Sequence, residues 1–313
     1  MMSVIGKNSA HIAGWLLFFA LFCVLFAVLQ ECLKPKFCDE SNNSTSMIEG
    51  FYALEEDSLD ALFLGGSQMA YAVAADALTI EHGISSYDFG ANGQMPETTL
   101  YYLKQAFRRQ RPRLVLLEVG QLIDTNRPDD AYFAWNMSSM PFGVDKWRHL
   151  LQLTRGDYKA SFMHLFPLFQ YHSRWKELNR HDARLPFVRR DCASRGHLAC
   201  LSSCAVAKPA GGGTQDGGIS VSEKNMRCLA EISLLCKEKC SRLILFKTPS
   251  VVWNVPDQVI MRFAVDNGIQ YWNFNGDTCE MGLDFDNDFV DAMHLNAKGA
   301  RKFTAFLAKR LKH

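Results

Sequence analysis

Short hydrophobic runs alternate with helix-like segments along most of this chain. The runs lie at residues 61–64, 84–89, 114–119, 243–247 and 269–273. Segments of helical periodicity lie between or after them, at about residues 70–82, 97–109, 222–239, 257–267 and 297–311. Because this alternation is typical of parallel strands joined by right-handed helical crossovers, we predict an α/β fold.

The alternation lapses between about residues 125 and 225, where aromatic residues cluster without a regular period. A glycine-rich piece, residues 208–218, lies near the end of this stretch. We predict a large insertion that covers the active face, with a mobile loop at Gly211-Gly212-Gly213. Residues 51–313 are accordingly predicted to form one soluble domain with an insertion, rather than two domains.

An uninterrupted apolar run, Ile12–Leu29, distinguishes the N-terminus from the rest of the chain. As a helix, its 18 residues cover roughly 27 Å, which is enough for most of a bilayer core. A cleaved signal peptide is the alternative, but no small-residue cleavage site follows the run. We predict a transmembrane signal-anchor helix over residues 12–30, a cytoplasmic N-terminus over 1–11 and a linker over 31–50.

Charge is balanced over the whole chain, with 34 Lys and Arg against 33 Asp and Glu. No global field therefore favours nucleic acid or an acidic surface as a partner. Lys7 precedes the apolar run while Lys34 and Lys36 follow it, so the positive-inside rule leaves the orientation open.

Ten cysteines is a high count, and six of them form two groups with the same spacing. The groups are Cys192, Cys200, Cys204 and Cys228, Cys236, Cys240. Disulfides between the groups are one interpretation and free thiols are the other. Asp284, Asp286 and Asp288 alternate as calcium ligands do, but they lack the glycine and terminal glutamate of an EF-hand loop. We predict neither a metal nor an organic cofactor.

A hydroxyl at a glycine turn is the first candidate for chemistry. Gly65-Gly66-Ser67 ends the first hydrophobic run and begins a helix-compatible segment. Glycines permit a sharp bend and a close approach of backbone, and free N–H groups at a helix start favour negative charge. Ser67 is therefore a candidate nucleophile with a nearby oxyanion site, although a helix-capping serine explains the same residues.

Three other loops are expected at the same edge of the sheet, because ligands bind at the carboxyl ends of parallel strands. The loops are residues 90–94, Gly120-Gln121 and Asp291–His294, which precedes the last helix. With Ser67 as nucleophile, His294 suits a general base and Asp291 suits the carboxylate that orients it. We predict this catalytic triad.

These blocks resemble those of the SGNH, or GDSL, hydrolases. Leu64–Ser67 matches the first block, with Gly66 where the family usually has Asp, and Asp291-Ala292-Met293-His294 matches the last. The resemblance covers about residues 58–125 and 240–305. It implies a three-layer α/β/α sandwich with a parallel, flavodoxin-like sheet and an acyl-serine intermediate.

The oxyanion hole departs from that pattern. Where the family has Gly-x-Asn-Asp, this chain has Gly120–Ile123 and lacks the Asn. We expect either Asn92 or Gln94 to replace it, helped by the Ser67 amide, and we include Gly66 and Gly93 among the oxyanion or substrate-binding candidates. His172 and Arg174 of the insertion are further candidates for binding substrate, since Arg holds carboxylate or phosphate well, but a structural role explains them equally.

The nearer resemblance is to membrane-anchored SGNH-like proteins of bacterial envelopes, which include the teichoic-acid D-alanylation protein DltD and proteins that accompany membrane-bound O-acyltransferases. It implies a single-pass cell-membrane protein with an extracytoplasmic catalytic domain, acting on acetyl or D-alanyl esters of envelope polysaccharide or teichoic-acid-like polymer. An O-acyltransferase is the implied partner. The alternatives are an inactive binding or assembly subunit of such a complex and a small-molecule binder.

Overall fold

The computed structural model describes residues 2–35, 43–123, 130–180, 182–183, 192–207, 221–252 and 257–312. Its centre is a sheet of five parallel strands: β1 Ala61–Leu64, β2 Ser86–Asp88, β3 Leu114–Glu118, β4 Arg242–Lys247 and β5 Gln270–Asn273. The strand order, β2-β1-β3-β4-β5, is the flavodoxin-like order. The predicted α/β class, parallel sheet and positions of all five strands are confirmed.

Twelve α-helices lie among the described residues. They are α1 Met2–Leu33, α2 Ser44–Ala53, α3 Ser67–Ala72, α4 Ala75–Ile80, α5 Pro96–Ala106, α6 Asp130–Ser138, α7 Val144–Leu153, α8 Tyr158–Leu165, α9 Pro167–Gln170, α10 Glu223–Glu238, α11 Asp257–Asn267 and α12 Ala297–Lys312. Short 3₁₀ turns occupy Gly120–Leu122, His172–Lys176 and Phe274–Asp277.

The helix predicted at residues 70–82 is two helices instead. Val73 has an extended backbone between α3 and α4. The Ala74 N–H, at the start of α4, donates to the Thr304 hydroxyl of α12 at 2.9 Å. Tertiary hydrogen bonding therefore replaces the intrahelical bond at this point, which helical periodicity alone does not reveal.

Burial on both faces explains why the strands are almost continuously hydrophobic. All four residues of β1 are buried, and so are the last four of β3. One face contributes Phe63, Leu116 and Phe246 to a cluster with Phe303 and Leu307 of α12. This cluster fixes α12, and with it the loop before α12, against the sheet.

The chain forms two compact units. The anchor unit contains Met1–Lys36 and Phe142–Arg189, and the sheet unit contains Phe37–Pro141 and Arg190–His313. Part of the predicted insertion thus groups with the apolar N-terminal helix, and its described portion contains α7, α8 and α9. The predicted glycine loop at residues 211–213 lies outside the described residues. The predicted domain boundaries stay a prediction.

Among the described residues, all six cysteines of the two groups are free thiols. Cys228 and Cys236 are buried on α10, whereas Cys240 and Cys204 are exposed, and each of these four is a free cysteine. Burial raises the pKa of Cys228 to about 11 and that of Cys236 to about 12. Both buried thiols therefore behave as small apolar side chains of the core.

The acidic residues near the C-terminus are held by protein groups. Asp288 is buried and pairs with Lys302 at 2.5 Å and Lys298 at 3.4 Å. Asp284 accepts hydrogen bonds from the Asn287 side chain and from the Asp286 N–H. These contacts give the alternating aspartates a role in shaping the turn before α12.

Candidate functional site

The turn from β1 to α3 presents Ser67 at the carboxyl edge of the sheet. Gly65 is closely packed, since a Cβ at this position would lie 2.6 Å from Met69 Cβ and 2.9 Å from Glu118 Cβ. Ser67 begins α3, so its backbone N–H is one of those without a partner inside the helix. The side chain of Ser67 is half-buried.

The second loop lies directly beside this turn. Phe89 N–H donates to Phe63 O at 2.9 Å, and Ala91 N–H donates to Gly65 O at 3.3 Å. Gly90 allows the close approach, because a Cβ there would lie 2.9 Å from Met69 Cγ. Backbone pairing between the two loops thus brings residues 90–94 alongside Ser67.

A hydrogen-bonded chain joins the three predicted triad residues. Ser67 Oγ lies 2.8 Å from His294 Nε2, across 227 positions of sequence. On the other side of the ring, His294 Nδ1 lies 2.9 Å from Asp291 Oδ2 and 3.0 Å from Asp291 Oδ1. With the Nδ1 proton donated to Asp291, Nε2 is left as the acceptor for the serine hydroxyl.

Asp291 is kept ionised by its surroundings. Partial burial raises its pKa, but hydrogen bonds from the His294 ring and from the backbone N–H groups of Met293 and His294 outweigh this, so the pKa lies below the usual value. Those N–H groups donate to Oδ1 at 2.7 Å and 3.0 Å. The Asp291 side chain remains 54% exposed. The residue spacing Asp-x-x-His therefore closes one short turn that orients the imidazole.

Of the predicted oxyanion residues, Gln94 lies beside Gly66, together with Gln121. A Cβ at Gly66 would lie 3.5 Å from Gln121 Cβ and 3.8 Å from Gln94 O. The Gln94 amide donates to the Thr99 hydroxyl at 2.8 Å, and Thr99 in turn donates to Gln121 Oε1 at 2.6 Å. Thr99 thus holds the side chains of Gln94 and Gln121, and Gln94 is buried.

Asn92 and Gly93 are fixed by the helix α6. Asn136 donates its side-chain N–H to Asn92 O at 3.0 Å. Gly93 has a φ of 61°, and a Cβ there would lie 2.7 Å from Tyr132 Cβ. The side chain of Asn92 hydrogen-bonds to Tyr71. Asn92 is consequently positioned through its backbone by α6 and through its side chain by α3.

Tyr71 belongs to this site and was not among the residues predicted from the sequence. Its ring lies 4.9 Å from the His294 ring, centroid to centroid. Burial raises the pKa of Tyr71, and the hydrogen bond with Asn92 opposes that shift. The available signal was its spacing: Tyr71 follows Ser67 by four positions, so the two share one face of α3.

Glu118 also lies beside this turn and was not among the residues predicted from the sequence. It ends β3 beneath Gly65, and its Oε1 accepts the Gly120 N–H at 2.7 Å. Burial raises the pKa of Glu118 to about 7, against the opposing effects of the Gly120 hydrogen bond and the Lys247 charge. A hydrophobic run that ends in a carboxylate was the signal in the sequence.

His172 and Arg174 lie in the anchor unit, where both contact their own neighbours. His172 Nδ1 is 2.9 Å from Phe169 O. Arg174 donates to Leu33 O at 2.7 Å and to Asp182 Oδ1 at 3.1 Å. These contacts give Arg174 a structural role in this unit, and substrate binding by either residue stays a prediction.

No protein-family model matches this chain, and a search of curated proteins finds no relative. The residues of the site are therefore the basis for assigning a function.

Proposed function

We propose that this protein is a serine esterase or acyltransferase that works through an acyl-serine intermediate. The observation that supports it is the chain of contacts from Ser67 Oγ to His294 Nε2, at 2.8 Å, and from His294 Nδ1 to Asp291, at 2.9 Å. Nucleophile, base and orienting carboxylate in this order are the arrangement that acyl-transfer chemistry requires.

In the proposed reaction, His294 Nε2 takes the hydroxyl proton as Ser67 Oγ attacks the acyl carbonyl. Asp291 is ionised, so it holds the Nδ1 proton in place and stabilises the imidazolium that forms. His294 then returns the proton to the departing alcohol, which leaves the acyl group on Ser67. Water or a glycan hydroxyl removes the acyl group by the reverse proton transfers.

The oxyanion is proposed to be held by the backbone N–H of Ser67 together with groups of residues 92–94. Ser67 N–H has no partner within α3, and Asn92 lies beside Tyr71 next to the imidazole. Each oxyanion donor typically contributes about 10²–10³ in rate. We take the Asn92 amide as this second donor, so Asn92→Ala is expected to lower the acylation rate by that factor.

The proposed substrate is an acetyl or D-alanyl ester on a cell-envelope polysaccharide or teichoic-acid-like polymer. Two features support this choice: the likeness of the Ser67 and Asp291–His294 blocks to envelope SGNH proteins, and an N-terminal helix, His11–Leu33, of the length and apolar composition that a membrane span needs. Such a protein is expected to act beside a membrane-bound O-acyltransferase, with its sheet unit outside the cytoplasm.

A fluorophosphonate probe tests the proposed chemistry on the full-length protein in detergent. We expect the wild type to be labelled at Ser67, and Ser67→Ala and His294→Ala to abolish labelling because nucleophile and base act as one unit. Asp291→Asn is expected to slow labelling by about 10⁴-fold, since the imidazole loses its correct tautomer.

Ser203→Ala is the matched control, because Ser203 is an exposed serine of the same unit and should leave labelling unchanged. Thermal unfolding of each variant shows that the fold persists. If the folded wild type takes up no probe, the proposed enzyme is ruled out and the binding or assembly subunit becomes the better hypothesis. Labelling that survives Ser67→Ala would also rule it out.

A further inference from the structure

The anchor unit has a surface that the proposed chemistry leaves unexplained. Helix α1 exposes its apolar side chains over residues 11–25. Near the C-terminal end of α1, the helix contacts the insertion. Phe26 packs on Phe166 and Phe169, with ring centroids 5.5 Å and 6.3 Å apart. Contact with α9 thus begins where the exposed apolar stretch of α1 ends.

Hydrogen bonds fix the insertion to the last turns of α1. Leu168 N–H donates to Gln30 Oε1 at 2.7 Å, and Arg174 donates to Leu33 O at 2.7 Å. The stretch from Phe26 to Leu33 rises roughly 10 Å along the helix axis. The headgroup region on each side of a bilayer is about 5–8 Å deep, so an attachment of this length reaches across it at the end of a spanning helix.

Around this attachment, large apolar side chains are exposed to solvent. We call residues 142–178 the juxtamembrane segment. Its exposed apolar residues are Phe142 at 70%, Val144 at 64%, Tyr158 at 71%, Phe162 at 47%, Trp175 at 65% and Leu178 at 40%. Four of these six are aromatic, whereas the exposed large apolar residues in the described part of the sheet unit are aliphatic or Met. Tyr158 and Trp175 each have a polar end, and such aromatic side chains are typical of the membrane–water boundary.

The same segment is basic, although the chain as a whole is not. Its exposed charged residues are four Lys and Arg and two Asp and Glu, whereas the full chain has 34 and 33. Lys159 and Lys176 are exposed, and the Lys176 ammonium lies 5.6 Å from the Trp175 ring centroid. Basic charge beside exposed aromatic rings complements a surface of anionic lipid headgroups.

We propose that the juxtamembrane segment docks in the interfacial layer of the bilayer that α1 spans, with its aromatic side chains among the acyl chains and its lysines at anionic phospholipid headgroups. The segment then acts as a second attachment that restrains the anchor unit at the membrane surface. This proposal requires α1 to lie in a bilayer and is independent of the chemistry proposed for Ser67.

Photo-crosslinking on the full-length protein tests whether the juxtamembrane segment contacts lipid. Phe162 and Trp175 are replaced singly by p-benzoylphenylalanine, and each variant is reconstituted into vesicles with equal parts of phosphatidylcholine and phosphatidylglycerol. We expect lipid adducts at both positions after irradiation, in yields comparable with those from Phe18 in the exposed apolar stretch of α1. Phosphatidylglycerol adducts should exceed those of phosphatidylcholine at position 175, and Lys159→Glu with Lys176→Glu should remove this excess.

Ile80 and Val265 are the control positions, because they are exposed apolar residues of the sheet unit, 79% and 78% accessible, on α4 and α11. Their adducts should not rise above those of an unirradiated sample. The proposal is overturned if positions 162 and 175 give no lipid adduct while Phe18 does. It is also overturned if, in native membranes, both positions crosslink to a polypeptide in place of lipid.

Discussion

The proposed site depends on two residue contacts, one between Asp291 and His294 and one between His294 and Ser67. The Asp-x-x-His spacing suffices to pair Asp291 with His294, since both side chains lie on one turn and Asp291 also accepts two of that turn's N–H groups. The 2.8 Å contact between His294 Nε2 and Ser67 Oγ instead joins residues that are 227 positions apart in the sequence. It depends on α12 packing against the sheet through Phe303 and Leu307.

Glu118 leads to a prediction about pH and stability. Its pKa is raised by burial from 4.5 to about 7, so the folded state holds the proton more tightly than the unfolded state does. The free energy of unfolding should therefore fall as pH rises from about 4.5 to about 7, by about 3 kcal/mol from this group alone. Glu118→Gln removes the charge and keeps an acceptor for the Gly120 N–H.

We expect Glu118→Gln to be more stable than wild type at pH 8 and about equally stable at pH 4.5, as measured by urea unfolding at both values. Comparison within each pH cancels the titration of the other groups. Glu238→Gln, at an exposed position at the end of α10, controls for the exchange itself. An identical stability difference between variant and wild type at both pH values would show that the Glu118 carboxyl is not perturbed.

At the scale of elements, the turn between β1 and α3 is the part of the fold that positions Ser67. Its two glycines have different roles. Gly65 is packed between Met69 and Glu118, while Gly66 has a φ of −85° and room for a methyl group. The first glycine is required by close packing beneath the turn, and the second lies beside the predicted oxyanion residues.

We predict that Gly65→Ala and Gly66→Ala differ sharply in stability. The methyl group at position 65 would meet Met69 Cβ at 2.6 Å, and such overpacking typically costs about 1–3 kcal/mol. At position 66 the nearest atom is 3.5 Å away, so the change should stay within about 0.5 kcal/mol. Chemical denaturation of the two variants measures both values.

Because Gly66→Ala introduces the same methyl group one residue away, it is the matched control for Gly65→Ala. Equal stabilities would mean that the backbone at position 65 relaxes freely. That result would contradict the close packing between β1, α3 and β3 described above.

The whole molecule combines a sheet unit that holds the proposed chemistry with an anchor unit built around an apolar helix. Composition and length make His11–Leu33 suitable for crossing a membrane. The charges flanking it do not determine which side the sheet unit occupies. An envelope substrate requires that unit to lie outside the cytoplasm, and this orientation is part of the proposal.

Cysteine labelling in intact cells tests the orientation. Cys204, Cys240 and Cys279 are exposed in the sheet unit, so a membrane-impermeant maleimide should reach them without permeabilisation. We expect equal labelling of intact and permeabilised cells, and a marked loss when all three residues are replaced by serine. Labelling that requires permeabilisation would place the sheet unit in the cytoplasm and rule out an envelope substrate.

Local patterns in the sequence were enough to predict the α/β class, the five strands and the apolar helix, and to select Ser67, Asp291 and His294 as candidates. These features depend on periodicity, on glycine at a turn and on a three-residue spacing, all of which act over a few positions. The break at Val73–Ala74, the contact of Tyr71 with His294 and the burial of Glu118 depend instead on contacts with distant segments. Only the tertiary structure decides such contacts, because the side chains that meet in the folded chain, such as Thr304 with Ala74 or Glu118 with Gly65, leave no periodic signal in the sequence.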